Sequence, residues 1–371
     1  MNIFLSIIVF ALGVSVSAFV LKRSGRTRSA KRHGKMVANA VKHRLSEGSK
    51  IVAIGGGTGL STLLRGLKCF TKNITAVVAV TDEGGSSGRL REEWGMLPPG
   101  DIRNCIVALA ENDSSLSSLL NYRFDKGQLC GHSLGNIIIL AATELMGDFQ
   151  RAVEELNNML AIRGRVLPVT TENVKLYGET NDGKSISGEL EISENGRILS
   201  KLWIEPADAS TLPAVCKSID DADVITMGPG SLFTSVMPNL LLKDIAKKLN
   251  ETKIPIIYIA NLMTQPKETE GMNIVAHVDW LAGVIGRVPD YIFVNQSKIP
   301  DDLVKRYSKI GAEPLYLSAR EEKYLTSLGT KIVFGDFCEI KDNKYLRHDA
   351  LHISEKIIEI AKGNSRLYEK S

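Results

Sequence analysis

Apolar positions in this chain fall into short unbroken runs, separated by glycine-rich polar stretches. Ile51-Val52-Ala53-Ile54 and Ala76-Val77-Val78-Ala79-Val80 contain no polar residue. That is the pattern of parallel strands covered on both faces. Asp223-Val224-Ile225-Thr226-Met227, Ile254–Ala260 and Tyr291-Ile292-Phe293-Val294 repeat it. Between the runs the apolar period lengthens to that of amphipathic helices, over about 61–70, 102–109, 116–122, 137–145, 153–162, 212–219 and 351–362. Strands alternating with helices predict an α/β fold: a Rossmann-like, doubly wound, mostly parallel sheet. Residues 166–204 differ in texture. Short alternating runs there sit between Asn181-Asp182-Gly183 and Glu194-Asn195-Gly196, which predicts an antiparallel hairpin insertion. Pro314–Leu317 and Lys331–Phe334 read as edge elements.

The N-terminus departs from this pattern. Ile3–Leu21 carries no charge, and as a helix it would be about 28 Å long, close to the thickness of a bilayer core. Nine Lys or Arg and no acid follow between Lys22 and Arg44. The positive charge comes after the apolar run, whereas a cleaved signal peptide carries it before. The expectation is one transmembrane helix over 1–21 that anchors the chain to the inner (cytoplasmic) membrane. A basic juxtamembrane linker over 22–48 follows, then a cytoplasmic globular domain over 49–371. No aromatics interleave the basic run, which argues against nucleic acid as a partner.

Composition adds two constraints. At 371 residues and 44% hydrophobic content the chain has ample material for one large core. Its five cysteines are scattered and never in C-x-x-C spacing, which suits a reducing compartment and neither a zinc site nor a disulfide framework.

The chemistry is expected at the strand ends. The first strand runs into Gly55-Gly56-Gly57-Thr58-Gly59-Leu60-Ser61 and the second into Thr81–Arg89. The strand at 223–227 runs into Gly228-Pro229-Gly230-Ser231. In an open parallel sheet such loops share one crevice, and glycine-rich helix starts suit anions. Asp82 and Glu83 suit Mg²⁺ or a ribose hydroxyl. Asp101 reads either as a helix N-cap or as a further carboxylate of that group. Arg89 and Arg91 read as a phosphate clamp or as a solvated helix face.

Standard motifs fail. A dinucleotide fingerprint counted from Gly55 would need glycine where Leu60 stands, and no Gly-Lys-Ser/Thr completes a phosphate-binding loop of the nucleotide hydrolases. Gly131-His132-Ser133-Leu134-Gly135 matches G-x-S-x-G, but the buried strand that a nucleophile elbow requires is missing before it.

Six segments in order carry a resemblance: Gly55–Ser61, Thr81–Arg91, Pro98-Pro99-Gly100-Asp101-Ile102-Arg103-Asn104, Gly131–Asn136, Gly228–Ser235 and Asn261-Leu262-Met263-Thr264-Gln265-Pro266. Together they resemble the YvcK-type gluconeogenesis factors of the CofD-like superfamily, whose namesake is 2-phospho-L-lactate transferase. Lys267 stands where that family usually has glycine, Met272 near the place of its aromatic, and Glu83 where it usually has aspartate. The resemblance implies a regulator that binds a nucleotide sugar, with UDP-sugars such as UDP-N-acetylglucosamine favoured. It also implies a role in cell shape and cell-wall precursor supply under gluconeogenic growth, with a regulatory protein partner not specified. On these segments the expected ligand-binding residues are Gly56, Gly57, Thr58, Gly59 and Ser61, then Asp82, Ser86, Ser87 and Arg89. Asp101, Asn104, His132, Ser133 and Asn136 follow, and finally Gly228, Gly230, Ser231 and Asn261. No catalytic residue and no cofactor beyond the UDP-sugar is assigned. The alternative is an Mg²⁺-dependent phospho-group transferase like the namesake, with the metal on Asp82 and Asp101. An NAD(P) oxidoreductase is disfavoured, because Leu60 breaks the fingerprint and no proton-transfer His or Tyr–Lys arrangement stands out.

Overall fold

The run Ile51–Gly55 forms β1, and all five residues are buried. It is an interior strand of a seven-stranded sheet of order β10-β9-β8-β7-β1-β2-β3. The computed structural model describes residues 43–111, 115–342 and 345–368. The flanking strands are β2 (Ile74–Val78), β3 (Arg165–Pro168), β7 (Val224–Met227), β8 (Ile256–Ile259), β9 (Tyr291–Asn295) and β10 (Lys331–Gly335). Every pairing in the sheet is parallel. The chain builds outward from β1 to β2 and β3, then crosses to β7 and builds outward the other way. The doubly wound α/β expectation is met. The point where the order reverses lies between β1 and β7, which is where such folds open a crevice.

The helices that position the site are α1 (Gly57–Leu67), α2 (Gly85–Trp94), α3 (Gly100–Leu109), α4 (Leu134–Met146), α5 (Glu189–Asn195) and α6 (Ala350–Tyr368). Their apolar stripes close the core. Leu60, Leu63, Leu64 and Leu67 of α1 are at most 1% exposed, and Ile353, Ile357 and Ala361 of α6 are equally buried. Two compact units divide the chain at 47/48. The first is described only at its end, where His43 pairs with Glu47.

A three-stranded antiparallel sheet, β5-β4-β6, forms the expected insertion. It comprises β4 (Lys175–Thr180), β5 (Ser185–Ser187) and β6 (Leu199–Glu205). Its start is later than the sequence suggests. Val166 and Leu167 belong to β3, where both are buried and paired to β2. Leu190-Glu191-Ile192, read as an alternating run, lies in the short helix α5 with only Ile192 buried. Pro314 makes an isolated bridge to Met263, whereas Lys331–Phe334 falls in the main-sheet edge strand β10. A last hairpin pairs β11 (Cys338–Lys341) with β12 (Tyr345–His348).

One part of the expected fold class is corrected. No helix among the described residues is long and apolar enough to cross a membrane. The segments 1–21 and, up to residue 42, the basic linker lie outside the described residues. The expected transmembrane helix is therefore no part of the fold among the described residues. All five cysteines are free.

Candidate functional site

The glycine run after β1 does more than turn the chain. The sequence places the helix start near Ser61, yet α1 begins at Gly57, inside the run. Gly57 takes φ +62, in the left-handed region that side chains disfavour. Gly59 is pressed against the other glycine loop: a Cβ there would lie 2.3 Å from the Pro229 carbonyl oxygen. The first turn of α1 and the 228–231 loop thus stack backbone on backbone across the switch point. Gly56 brings no side-chain cap to α1; Asp101 takes the Gly57 N–H, and the amides that follow keep donor capacity at the positive end of a helix dipole.

A cavity of about 420 Å³ opens against this junction, within the size range of small-molecule sites. Gly56, Thr58 and Gly59 form one wall, and Gly230, Ser231 and Ser235 a second. Asn261–Pro266 forms the third. The fourth comes from far along the chain: Tyr307, Ile310 and Ala312, with Leu346, Arg347 and His348 of β12. Arg347 is exposed and brings a guanidinium to the rim. The Tyr307 hydroxyl accepts the Leu346 N–H at 3.2 Å, which ties the ring to β12. Burial pushes the His348 imidazole down to about 4. Gln265 Oε1 and His348 Nδ1 are buried polar atoms without a protein partner.

Two walls are held from behind. Asn261 grips Gly230 as a neighbouring strand would: Gly230 N–H donates to Oδ1 at 3.2 Å and Nδ2 donates to the Gly230 carbonyl at 2.8 Å. The Ser231 hydroxyl is bonded to Glu268 and, at 2.6 Å, to Thr234 Oγ1. Glu268 also accepts the Phe233 N–H at 2.9 Å.

The other expected residues gather in a separate polar cluster at the ends of β2 and α3. Asp82 accepts the Gly84 N–H at 2.9 Å, and Glu189 of α5 accepts the Glu83 N–H at 3.0 Å. Burial first, and then the Asp82 charge, push Asp101 up to about 7; the Gly57 N–H and Arg103 pull it the other way. The same two causes push Glu189 upward. Among the described residues no group of three or more His, Cys, Asp or Glu is arranged to hold a metal ion.

Beside the carboxylates lies a buried network. Ser86 Oγ meets His132 Nδ1 at 3.0 Å and accepts from Asn136 Nδ2 at 3.0 Å. Ser87 Oγ accepts the Gly100 N–H at 3.1 Å. The Arg103 guanidinium donates to Ser133 Oγ, to Asn136 Oδ1 at 3.2 Å and to Asn104 Oδ1 at 2.6 Å. Burial lowers the pKa of Arg103, with Arg123 adding to the effect; burial followed by Arg89 lowers that of His132.

The expected residues therefore divide. Gly56, Thr58, Gly59, Gly230, Ser231 and Asn261 line the cavity. Asp82, Ser86, Ser87, Asp101, Asn104, His132, Ser133 and Asn136 form the cluster. Gly57 joins the two, since its N–H is bonded to Asp101. Three lie apart. Ser61 Oγ bonds the Thr58 carbonyl in its own helix at 3.0 Å, Arg89 donates to the Cys130 carbonyl at 2.8 Å, and Gly228 serves the turn with φ +76. Arg91 donates to Asn173 and to the Val174 carbonyl.

Sequence reasoning missed Arg103, although it stands inside a quoted segment. It also missed Glu189, Glu268, Tyr307, Arg347 and His348. Only Glu268, three residues after Gln265, carried a local signal.

A family profile described as 2-phospho-L-lactate transferase CofD matches residues 51–338. The chain is 43% identical over 315 residues to a putative gluconeogenesis factor of Thermoanaerobacterium thermosulfurigenes, covering 83% of this chain and 95% of that one. It is 41% identical over 315 residues to the gluconeogenesis factor of Bacillus subtilis, covering 84% and 98%. A crystal structure of a Bacillus halodurans protein matches with a TM-score of 0.80 at 40% identity, over 84% of this chain and 99% of that one. With most of its length matched in sequence and in fold, the chain belongs to the CofD family, among relatives named gluconeogenesis factors.

Proposed function

We propose that the protein is a gluconeogenesis factor that binds a nucleotide sugar, a UDP-sugar such as UDP-N-acetylglucosamine, and regulates cell shape and cell-wall precursor supply under gluconeogenic growth. The observation that carries this reading is the cavity at the switch point. Its volume suits a ligand of this class, and the first-turn amides of α1 beyond Gly57 and the Arg347 guanidinium offer complementary groups for phosphate. Tyr307 offers an aromatic face, and the Ser235 hydroxyl suits a sugar. Gln265 and His348, each with an unpartnered buried polar atom, favour a polar occupant. The test is calorimetry of the full chain with UDP-N-acetylglucosamine, NAD and GDP, with and without Mg²⁺. Saturable binding of the UDP-sugar, recovered intact after prolonged incubation, supports the reading. Absence of UDP-sugar binding removes the ligand.

A second reading, an Mg²⁺-dependent phospho-group transferase, is favoured by one observation: the raised carboxyl pKa values of Asp101 and Glu189 beside Asp82. A divalent cation on Asp82 and Asp101 would neutralise that cluster and would supply charge stabilisation to a transferring phosphoryl group. Release of a nucleotide product that depends on Mg²⁺ and is lost in Asp101→Asn would establish this reading over the first.

A further inference from the structure

Glu268 is 2% exposed, and the groups that meet its carboxylate are hydrogen-bond donors rather than cations. A buried carboxylate without a counter-charge is costly unless several donors converge on it. Two meet one oxygen, Oε1: the Ser231 hydroxyl, and the Phe233 N–H at 2.9 Å. The Thr234 N–H adds to them while also donating to Ser231 Oγ at 3.2 Å. Burial pushes the Glu268 carboxyl up, and these donors oppose it. A glutamine of the same size would offer them a single acceptor oxygen and no charge. The two amides open the helical segment 232–240, where unpaired N–H groups and the dipole favour an internal anion.

What the carboxylate holds is the cavity wall. Ser231 lies directly on it, and Gly230 is gripped from the opposite side by Asn261. Gln265 and Pro266, on the same segment as Glu268, form part of the next wall. The segment has no room to swing away. Gly196 of the insertion packs on it so closely that a Cβ would lie 2.6 Å from the Glu268 carbonyl oxygen. The Arg197 N–H bonds the Lys267 carbonyl at 3.0 Å. We propose that Glu268 is a positioning residue for the cavity: it fixes the Pro229–Ser231 wall against α1, and the affinity of the cavity for its ligand depends on it. This inference rests on the reading of the cavity as the ligand site.

The experiment combines calorimetry and amide hydrogen exchange on the full chain, as wild type, Glu268→Gln and Ser231→Ala. Glu268→Gln is expected to weaken UDP-N-acetylglucosamine about tenfold, the order expected for one unsatisfied buried donor. Exchange should rise over 230–236 and stay unchanged elsewhere. Ser231→Ala removes one donor to Glu268 and the acceptor of the Thr234 N–H but leaves the carboxylate, so a loss of about threefold is expected. Wild-type affinity and unchanged exchange in Glu268→Gln overturn the inference. If Glu268→Gln does not fold, wild-type affinity and exchange in Ser231→Ala overturn it. If the wild type binds no UDP-sugar, the ligand reading fails, and exchange alone decides. A rise confined to 230–236 then supports the positioning role, and no change, or a rise throughout the chain, refutes it.

Discussion

The cavity at the switch point and the polar cluster at the end of β2 lie on either side of Gly57 and are built on opposite principles. In the cluster, polar side chains are spent on one another: Ser86 on His132 and Asn136, Ser133 on Arg103, Ser87 on the Gly100 N–H. After burial, the Asp82 charge pushes both Asp101 and Glu189 up. In the cavity the polar side chains work from behind, Asn261 on Gly230 and Glu268 on Ser231. Around the open volume stand glycine backbone, hydroxyls, apolar side chains, one guanidinium and the polar atoms of Gln265 and His348 that have no protein partner. A polar residue near a ligand site therefore has two distinct uses, to meet the ligand or to hold the wall that meets it. Identity alone does not separate them.

The largest expected effect comes from closing the junction between the glycine loops. In Gly59→Ala the new methyl would meet the Pro229 carbonyl oxygen, a backbone atom that cannot step aside. A loss of about 3 kcal/mol in stability is expected, from urea unfolding, together with loss of UDP-sugar binding. Normal binding would show that the two loops do not form the site.

Asp101→Asn comes next and sets the two regions apart. The Asp101 carboxyl is raised from 3.8 to about 7 in the folded chain, so the folded state holds this proton more tightly than the unfolded state does. Its contribution to stability is fully present below about pH 4 and is lost as pH rises through about 7. Asparagine keeps an acceptor for the Gly57 N–H and has no charge to bury. The variant should gain about 2 kcal/mol at pH 8, nothing comparable at pH 4, and should bind UDP-sugar within about twofold of wild type. Equal gains at both pH values, or a large change in binding, would mean that cluster and cavity act as one site.

Arg347→Ala should weaken UDP-N-acetylglucosamine about tenfold, or about 1.4 kcal/mol, and leave urea unfolding unchanged, because the side chain is exposed. The smallest effect concerns the residue that follows Pro266 of the third wall. Lys267 takes φ +63, a conformation costly for a residue with a Cβ. Lys267→Gly should stabilise the chain by about 1 kcal/mol, less what its exposed ion pair with Glu194 contributes, with affinity unchanged. A loss of stability would show that the ion pair outweighs the strain.

How much of this was legible in the sequence follows from distance along the chain. β1 and the glycine run after it were legible, because a buried strand and the loop that ends it are local patterns. The same holds for β7 and its loop. β3 was not, since a four-residue edge strand ahead of a hairpin region offers too little pattern to separate the two. The helix α5 was hidden in seven residues that also fit alternation. Tyr307, in the helix Asp301–Ser308, and Arg347, in β12, reach the cavity only because the fold returns distant segments to the switch point, and no local spacing encodes that. Glu268 and Asn261 show the opposite case. Their neighbourhood was recognisable, but their use as supports depends on which donors the folded loop turns inward.

The claim on which the rest depends is that the ligand occupies the cavity and not the cluster. A crystal structure of the chain with UDP-N-acetylglucosamine tests it directly. The expected result places the phosphates against Thr58, Gly59 and Arg347, with the remainder of the ligand along Ser235 and Tyr307. Ligand bound over Asp82, Asp101 and His132, with the cavity vacant, would contradict the account.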